Sequence, residues 1–306
     1  MQYVHLEPGI REIVKDFNDQ GCPCPSGLDI QTRRQGYLQT VSLAGQAEDV
    51  FQVQDTCIDG IPLRIFKPST ADNLPVLVYF HGGCFISGDF ATHDQQMRKL
   101  ANLSGAMVIG VGYRLAPEHS YPAAHEDAYQ ACELIYRHCR EWGGDPEKIS
   151  LAGDSAGGHL CLSTSLRLRD KGDWLPEKQI LIYPMLDAEG KSESYRAYGK
   201  QYVITRNMLL SGFELYLAGT GIEAEHPQIS LLNRSDFAGL PPTHILTAEF
   251  DPLVDEGEQL YRQLLEAGVD ATCTRYLGVI HGFFQLSALS PSARQAIAQV
   301  AALIKE

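Results

Sequence analysis

No run in the 306 residues reaches the roughly 18 uncharged apolar positions that a membrane-spanning helix requires, so nothing here is expected to cross a bilayer. Met1 to Asp16 mixes His5, Glu7, Arg11, Glu12 and Lys15 with apolar residues, and so lacks the continuous apolar core of a signal peptide. Positive charge is also scarce. Twenty-five Lys and Arg face 38 Asp and Glu, a net charge of −13, which repels a phosphate backbone and offers no polybasic patch to an anionic membrane. Neither a nucleic-acid partner nor a membrane surface is expected. The eight cysteines lack paired spacing and, with no export signal, read as reduced thiols of a cytoplasmic protein. Cys22-Pro-Cys24 is the one close pair, and a single intervening residue does not match zinc spacing, so no metal is expected.

What is present is ordinary globular composition, 44% hydrophobic and 21% charged. Strand and helix signals alternate, which predicts the α/β class with a mostly parallel central sheet flanked by helices. Val76–Phe80 is a continuous apolar run, as a strand buried on both faces should be. A helix around Asp94–Leu103, a strand at Met107–Val111 and a long helix over Tyr121–Trp142 follow. Ile149–Ala152 then runs into glycines and a helix extending to Leu168. Further strands are predicted at Ile180–Tyr183, His244–Thr247 and Thr272–Tyr276, with helices at Glu256–Glu266 and Ser292–Lys305. Two stretches fall outside this alternation, residues 1–45 and 187–221. They are expected to cap the mouth of the sheet, because ligands sit at the carboxyl ends of parallel strands. Residues 46–186 and 222–306 make up the predicted catalytic domain. Its last strand and helix fall at a sheet edge, where a homodimer contact can form.

Gly153-Asp154-Ser155-Ala156-Gly157 carries the chemistry. A serine forced into a sharp strand-to-helix turn has a strained backbone, and glycine two residues either side removes the collisions that side chains would make. The helix that follows points N–H groups and a positive dipole end at a developing oxyanion. Upstream, Val76–Phe80 ends in His81-Gly82-Gly83-Cys84-Phe85, a glycine-rich loop suited to a second N–H donor. Downstream, a carboxylate and then a histidine are needed. Asp251 opens the loop after the His244–Thr247 strand and is preferred to Glu249 and Asp255, while His281 follows the last strand. His93 and His125 fall in predicted helices and are expected to be solvated or to cap.

These residues resemble the hormone-sensitive-lipase-like branch of α/β-hydrolases, the bacterial acetyl esterase and carboxylesterase type. The resemblance runs from about Pro75 to the C-terminus. It includes Tyr113-Arg114-Leu115-Ala116-Pro117-Glu118, Pro122-Ala123-Ala124, Leu240-Pro241-Pro242 and the segments around Asp251 and His281. It implies an α/β-hydrolase fold with a helical cap and hydrolysis of short-chain acyl esters, small soluble molecules, with no cofactor. Ser155 would be the nucleophile, His281 the base and Asp251 its orienting acid. Gly82, Gly83 and Ala156 would supply the oxyanion N–H groups, and Asp154, Arg114 and Glu118 would be structural. Cys84 stands where the family usually has a third glycine. It is expected beside the acyl pocket with Phe85, where it would confer sensitivity to thiol reagents. Leu209 and Phe213, at helical spacing in the second cap stretch with Leu217, would face the acyl group. The same triad serves amidases, peptidases and lactonases. Some relatives of the fold are small-molecule receptors, but these typically lack a triad member, and all three are present here.

Overall fold

The computed structural model describes residues 3–305. Eight strands form one sheet: β1 (Gln52–Ile58), β2 (Ile61–Lys67), β3 (Leu74–Phe80), β4 (Met107–Val111), β5 (Gly144–Asp154), β6 (Gln179–Ile182), β7 (Thr243–Phe250) and β8 (Ala271–Ile280). Their order is 1-2-4-3-5-6-7-8, parallel except that β2 runs antiparallel to both β1 and β4. β3 and β4 are buried almost throughout, which is why they read as unbroken apolar runs. The core lies on both faces, one layer built on Val76, Val78 and Phe80 and the other on Leu77 and Tyr79. β8 is an edge strand, as expected, and leaves Leu277 64% exposed.

Nine α-helices are described: α1 (Pro8–Asp19), α2 (Ile30–Gln39), α3 (Phe90–Ser104), α4 (Ala123–His138), α5 (Ala156–Lys171), α6 (Glu193–Tyr198), α7 (Arg206–Leu217), α8 (Val254–Glu266) and α9 (Pro291–Lys305). The long helix predicted to run to Trp142 stops at His138 and gives way to a single 3₁₀ turn. That turn ends at Gly143, whose φ of +90° a helix cannot accept. Gly268 takes φ +75° just past α8, a left-handed conformation that glycine adopts at no steric cost. Among the described residues, no helix is long and apolar enough to cross a membrane.

The parallel strands share one carboxyl edge, and their register fixes what meets there. Phe80 pairs with Gly153, so the loop after β3 lies beside the turn after β5. Phe250 pairs with Ile280, so the residues that follow them, Asp251 and His281, emerge side by side. That pairing depends on a register shift in which Gly278 takes φ +73° and donates its N–H to Glu249 Oε2 at 2.8 Å. α2 and α7 are tied to the same edge. Arg34 of α2 donates to the Ile86 carbonyl at 2.8 Å, and Arg33 reaches Ser211 of α7 at 3.0 Å.

Candidate active site

Ser155 occupies the turn between β5 and α5 with φ +55° and ψ −117°, a conformation that ordinary L-residues avoid. Its surroundings over-determine it. Its N–H donates to the Ile182 carbonyl at 2.8 Å, and its own carbonyl accepts from Met185 and His159, both at 3.1 Å. A Cβ on Gly157 would lie 1.9 Å from the Phe80 carbonyl oxygen, and one on Gly153 would lie 2.4 Å from the Gly157 backbone. The collisions inferred from the motif are therefore real ones.

His281 Nε2 stands 3.0 Å from Ser155 Oγ, and its Nδ1 stands 2.8 Å from Asp251 Oδ2. All three side chains are buried. The other oxygen of Asp251 accepts the Leu253 N–H at 2.7 Å, which orients the carboxylate. The rival acids are occupied elsewhere: Glu249 on Gly278, and Asp255 on the Ser194 N–H at 2.8 Å. With Asp251 accepting at Nδ1, the imidazole presents a lone pair at Nε2 to the serine hydroxyl. Such a chain can deprotonate the hydroxyl as it attacks an electrophile. Among the described residues, no group of three or more His, Cys, Asp or Glu side chains is placed to hold a metal ion. Cys22 Sγ donates to Asn18 at 3.4 Å, and Cys24 Sγ lies 3.1 Å from Ser26 Oγ and 3.4 Å from Thr205 Oγ1.

The loop after β3 corrects one expectation. The Gly82 N–H is already taken: it donates to Asp154 Oδ1 at 3.0 Å, the oxygen that also accepts from the Tyr79 hydroxyl at 2.9 Å. Burial disfavours the Asp154 charge, but neighbouring His93 and the Tyr79 hydroxyl outweigh it and hold the carboxyl below its ordinary pKa. Gly82 is thus an anchor of the loop. No acceptor among the described residues meets the N–H groups of Gly83, Cys84 and Ala156. Ala156 directly follows Ser155, and Gly83 and Cys84 belong to the loop beside the Ser155 turn.

Cys84 and Phe85 hold φ of +55° and +64°, so the loop keeps a glycine-like path without the third glycine. Burial pushes the Cys84 thiol up to about 11, leaving it protonated at neutral pH and so a weak nucleophile towards thiol reagents. Phe85 is fully buried, its ring stacked on Tyr216 at 4.6 Å and 5.5 Å from Phe213. Leu209 and Phe213 are buried on the inner face of α7. The third member of that face is Tyr216, while Leu217 is only half-buried. His93 and His125 are neither solvated nor capping. His93 is fully buried 3.1 Å from Asp154, and His125 lies between the Tyr216 hydroxyl at 2.8 Å and His159 Nε2 at 3.0 Å. Helical periodicity placed these two histidines on helices but could not tell that each falls on a buried side of its helix.

Residues 77–285 match the family described by the α/β-hydrolase fold. An acetyl esterase of Salmonella paratyphi B is 34% identical, covering 93% of this chain and 90% of that one. The chain belongs to the hormone-sensitive-lipase-like branch of the α/β-hydrolases. An arylesterase of Saccharolobus solfataricus is 31% identical over 98% of both chains. The solved structure of a hyperthermophilic esterase from Pyrobaculum calidifontis superposes on this α/β-hydrolase with a TM-score of 0.92. It shares 37% identity and covers 99% of this chain and 98% of that one.

Proposed function

We propose that this α/β-hydrolase is a carboxylesterase that cleaves short-chain acyl esters through an acyl-enzyme on Ser155. The observation that carries the reading is the Ser155–His281–Asp251 chain, buried at the carboxyl edge and linked at 3.0 and 2.8 Å. The Ser155 hydroxyl attacks the ester carbonyl while His281 Nε2 takes its proton, and Asp251 stabilises the imidazolium. The oxyanion is received by the N–H groups of Gly83, Cys84 and Ala156, each worth about 3 kcal/mol in such sites. His281 returns the proton to the leaving alcohol, then activates a water that releases the acid and restores Ser155. The names of the relatives support ester chemistry. The bulk of Leu209 and Phe213 on the inner face of α7, with Phe213 packed on Phe85, supports a short acyl pocket, with α2 and α7 as its cap.

The test is hydrolysis of p-nitrophenyl esters from acetate to palmitate by wild type and Ser155→Ala. A loss of at least about a thousandfold in the variant, with wild-type preference for acetyl to hexanoyl chains, is expected. Undiminished activity in Ser155→Ala overturns the mechanism. Faster turnover of palmitoyl than butyryl esters overturns the substrate class.

A further inference from the structure

Gly83, Cys84 and Phe85 all have positive φ, at +125°, +55° and +64°, and two of the three carry side chains. A path of this kind persists only where its surroundings hold it. The inner side of the loop is held by the sheet: Asp154 takes the Gly82 N–H, and the Tyr113 hydroxyl donates to the His81 carbonyl at 2.6 Å. The outer side is held from α2. Arg34 donates from Nε to the Ile86 carbonyl at 2.8 Å and from Nη2 to the Ala116 carbonyl at 3.0 Å. The Ala116 N–H in turn donates to the Phe85 carbonyl at 2.9 Å. One guanidinium thus joins the two strands of chain that enclose the loop. Two of its other hydrogens meet Glu118 in a forked pair at 2.8 and 2.7 Å, and Arg34 holds the Glu118 carboxyl down to about 2.

α2 itself fully buries no side chain. Tethers therefore hold it on the body, and Arg34 supplies four of the contacts. We infer that Arg34 is a positioning residue for the reaction, a clamp from the N-terminal segment that sets the alignment of the Gly83 and Cys84 N–H groups. This inference rests on the esterase reading above. It also gives the N-terminal segment a role in the chemical step, beyond covering the substrate.

The test compares Arg34→Ala, Arg34→Lys and Arg11→Ala with wild type on p-nitrophenyl butyrate. Arg11 is the control, an arginine of α1 that binds the Tyr3 and Leu6 carbonyls and touches nothing of the loop. Arg34→Ala is expected to lower kcat about ten- to hundredfold with KM within about threefold, as misaligned donors do. Inhibition by a trifluoromethyl ketone, whose adduct with the serine places an oxyanion on these donors, should weaken by the same factor. Arg34→Lys, keeping one donor group and its charge, should recover part of both, and Arg11→Ala should change neither. A kcat within twofold of wild type in Arg34→Ala overturns the clamp, as does a loss confined to KM or matched by Arg11→Ala. The esterase reading stands or falls separately, on Ser155→Ala.

Discussion

Acidification should unfold this enzyme in a pH range set by its buried histidines. His159 Nδ1 faces the Met185 carbonyl at 2.9 Å, which can only accept, so that nitrogen carries the proton and Nε2 is left as an acceptor. His125 Nε2, 3.0 Å away, must then be the donor, and its Nδ1 accepts from the Tyr216 hydroxyl. Every ring nitrogen is occupied with both imidazoles neutral, so an added proton brings a charge into the buried core. Burial lowers the His159 pKa to about 4. It does the same to His81, where His93 adds to the effect, and it carries His125 well below its ordinary value, with His159 contributing.

The sign follows from linkage. With folded pKa values below the unfolded 6.5, the unfolded chain takes up protons first. Stability is full above pH 6.5 and drains away as pH falls towards 4. At pH 5, a histidine shifted from 6.5 to 4 loses about 2 kcal/mol. Two such groups, His159 and His81, lose about 4 kcal/mol, a large share of the stability of many domains, and His125, shifted in the same direction, adds to the loss. Urea denaturation at pH 7.5, 6 and 5 should show the midpoint falling steeply between the last two. Unfolding at pH 5 should take up at least about two protons. A midpoint unchanged from pH 7.5 to 5 would refute the neutral, fully occupied network.

Two further outcomes concern the loop after β3. A Cβ on Gly212 of α7 would lie 2.5 Å from Cys84 Cβ and 2.6 Å from the Cys84 carbonyl oxygen. Gly212→Ala should therefore destabilise by about 1 kcal/mol net, overpacking of about 1–3 kcal/mol exceeding a helix-propensity gain of about 1. It should also lower kcat, and Cys84→Gly in the same chain should restore part of both losses. Denaturation and kinetics that match wild type would show that α7 does not rest on the loop. With its thiol at about 11, Cys84 has a thiolate fraction of about 10⁻⁴ at pH 7, so iodoacetamide should inactivate wild type and Cys84→Ala at equal rates. Cys24 is exposed, and the hydrogen bonds it receives from Ser26 and Thr205 outweigh its partial burial and lower its pKa. Mass spectrometry should find it alkylated ahead of Cys84.

The elements that position the chemistry were legible because their local signals agree with their burial. β3 and β4 are apolar on both faces, and Gly153 and Gly157 stand where any side chain would strike backbone. Asp251 and His281 could be named from order and spacing alone, because each directly follows a parallel strand. The antiparallel pair β1 and β2 carried no such signal. β1 is an edge strand with four of its seven residues exposed, and its Gln-Val-Gln-Asp-Thr-Cys-Ile reads as surface chain.

The donor set was misread for a different reason. A glycine pattern records where backbone must come close, but it does not say which N–H is already spent. Gly82 and Gly83 look alike in the sequence, and only the buried carboxylate of Asp154, 72 residues away, separates an anchor from a donor. Arg34 was equally silent. It lies in a polar helix that follows no core periodicity, and its four contacts fall on Ile86, Ala116 and Glu118, all distant along the chain. In the proposed mechanism the groups that react are announced by local motifs. The groups that aim them act across the fold through side chains with no local pattern, so residues such as Arg34 and Gly212 are where substitutions should change the rate while the motifs stay intact.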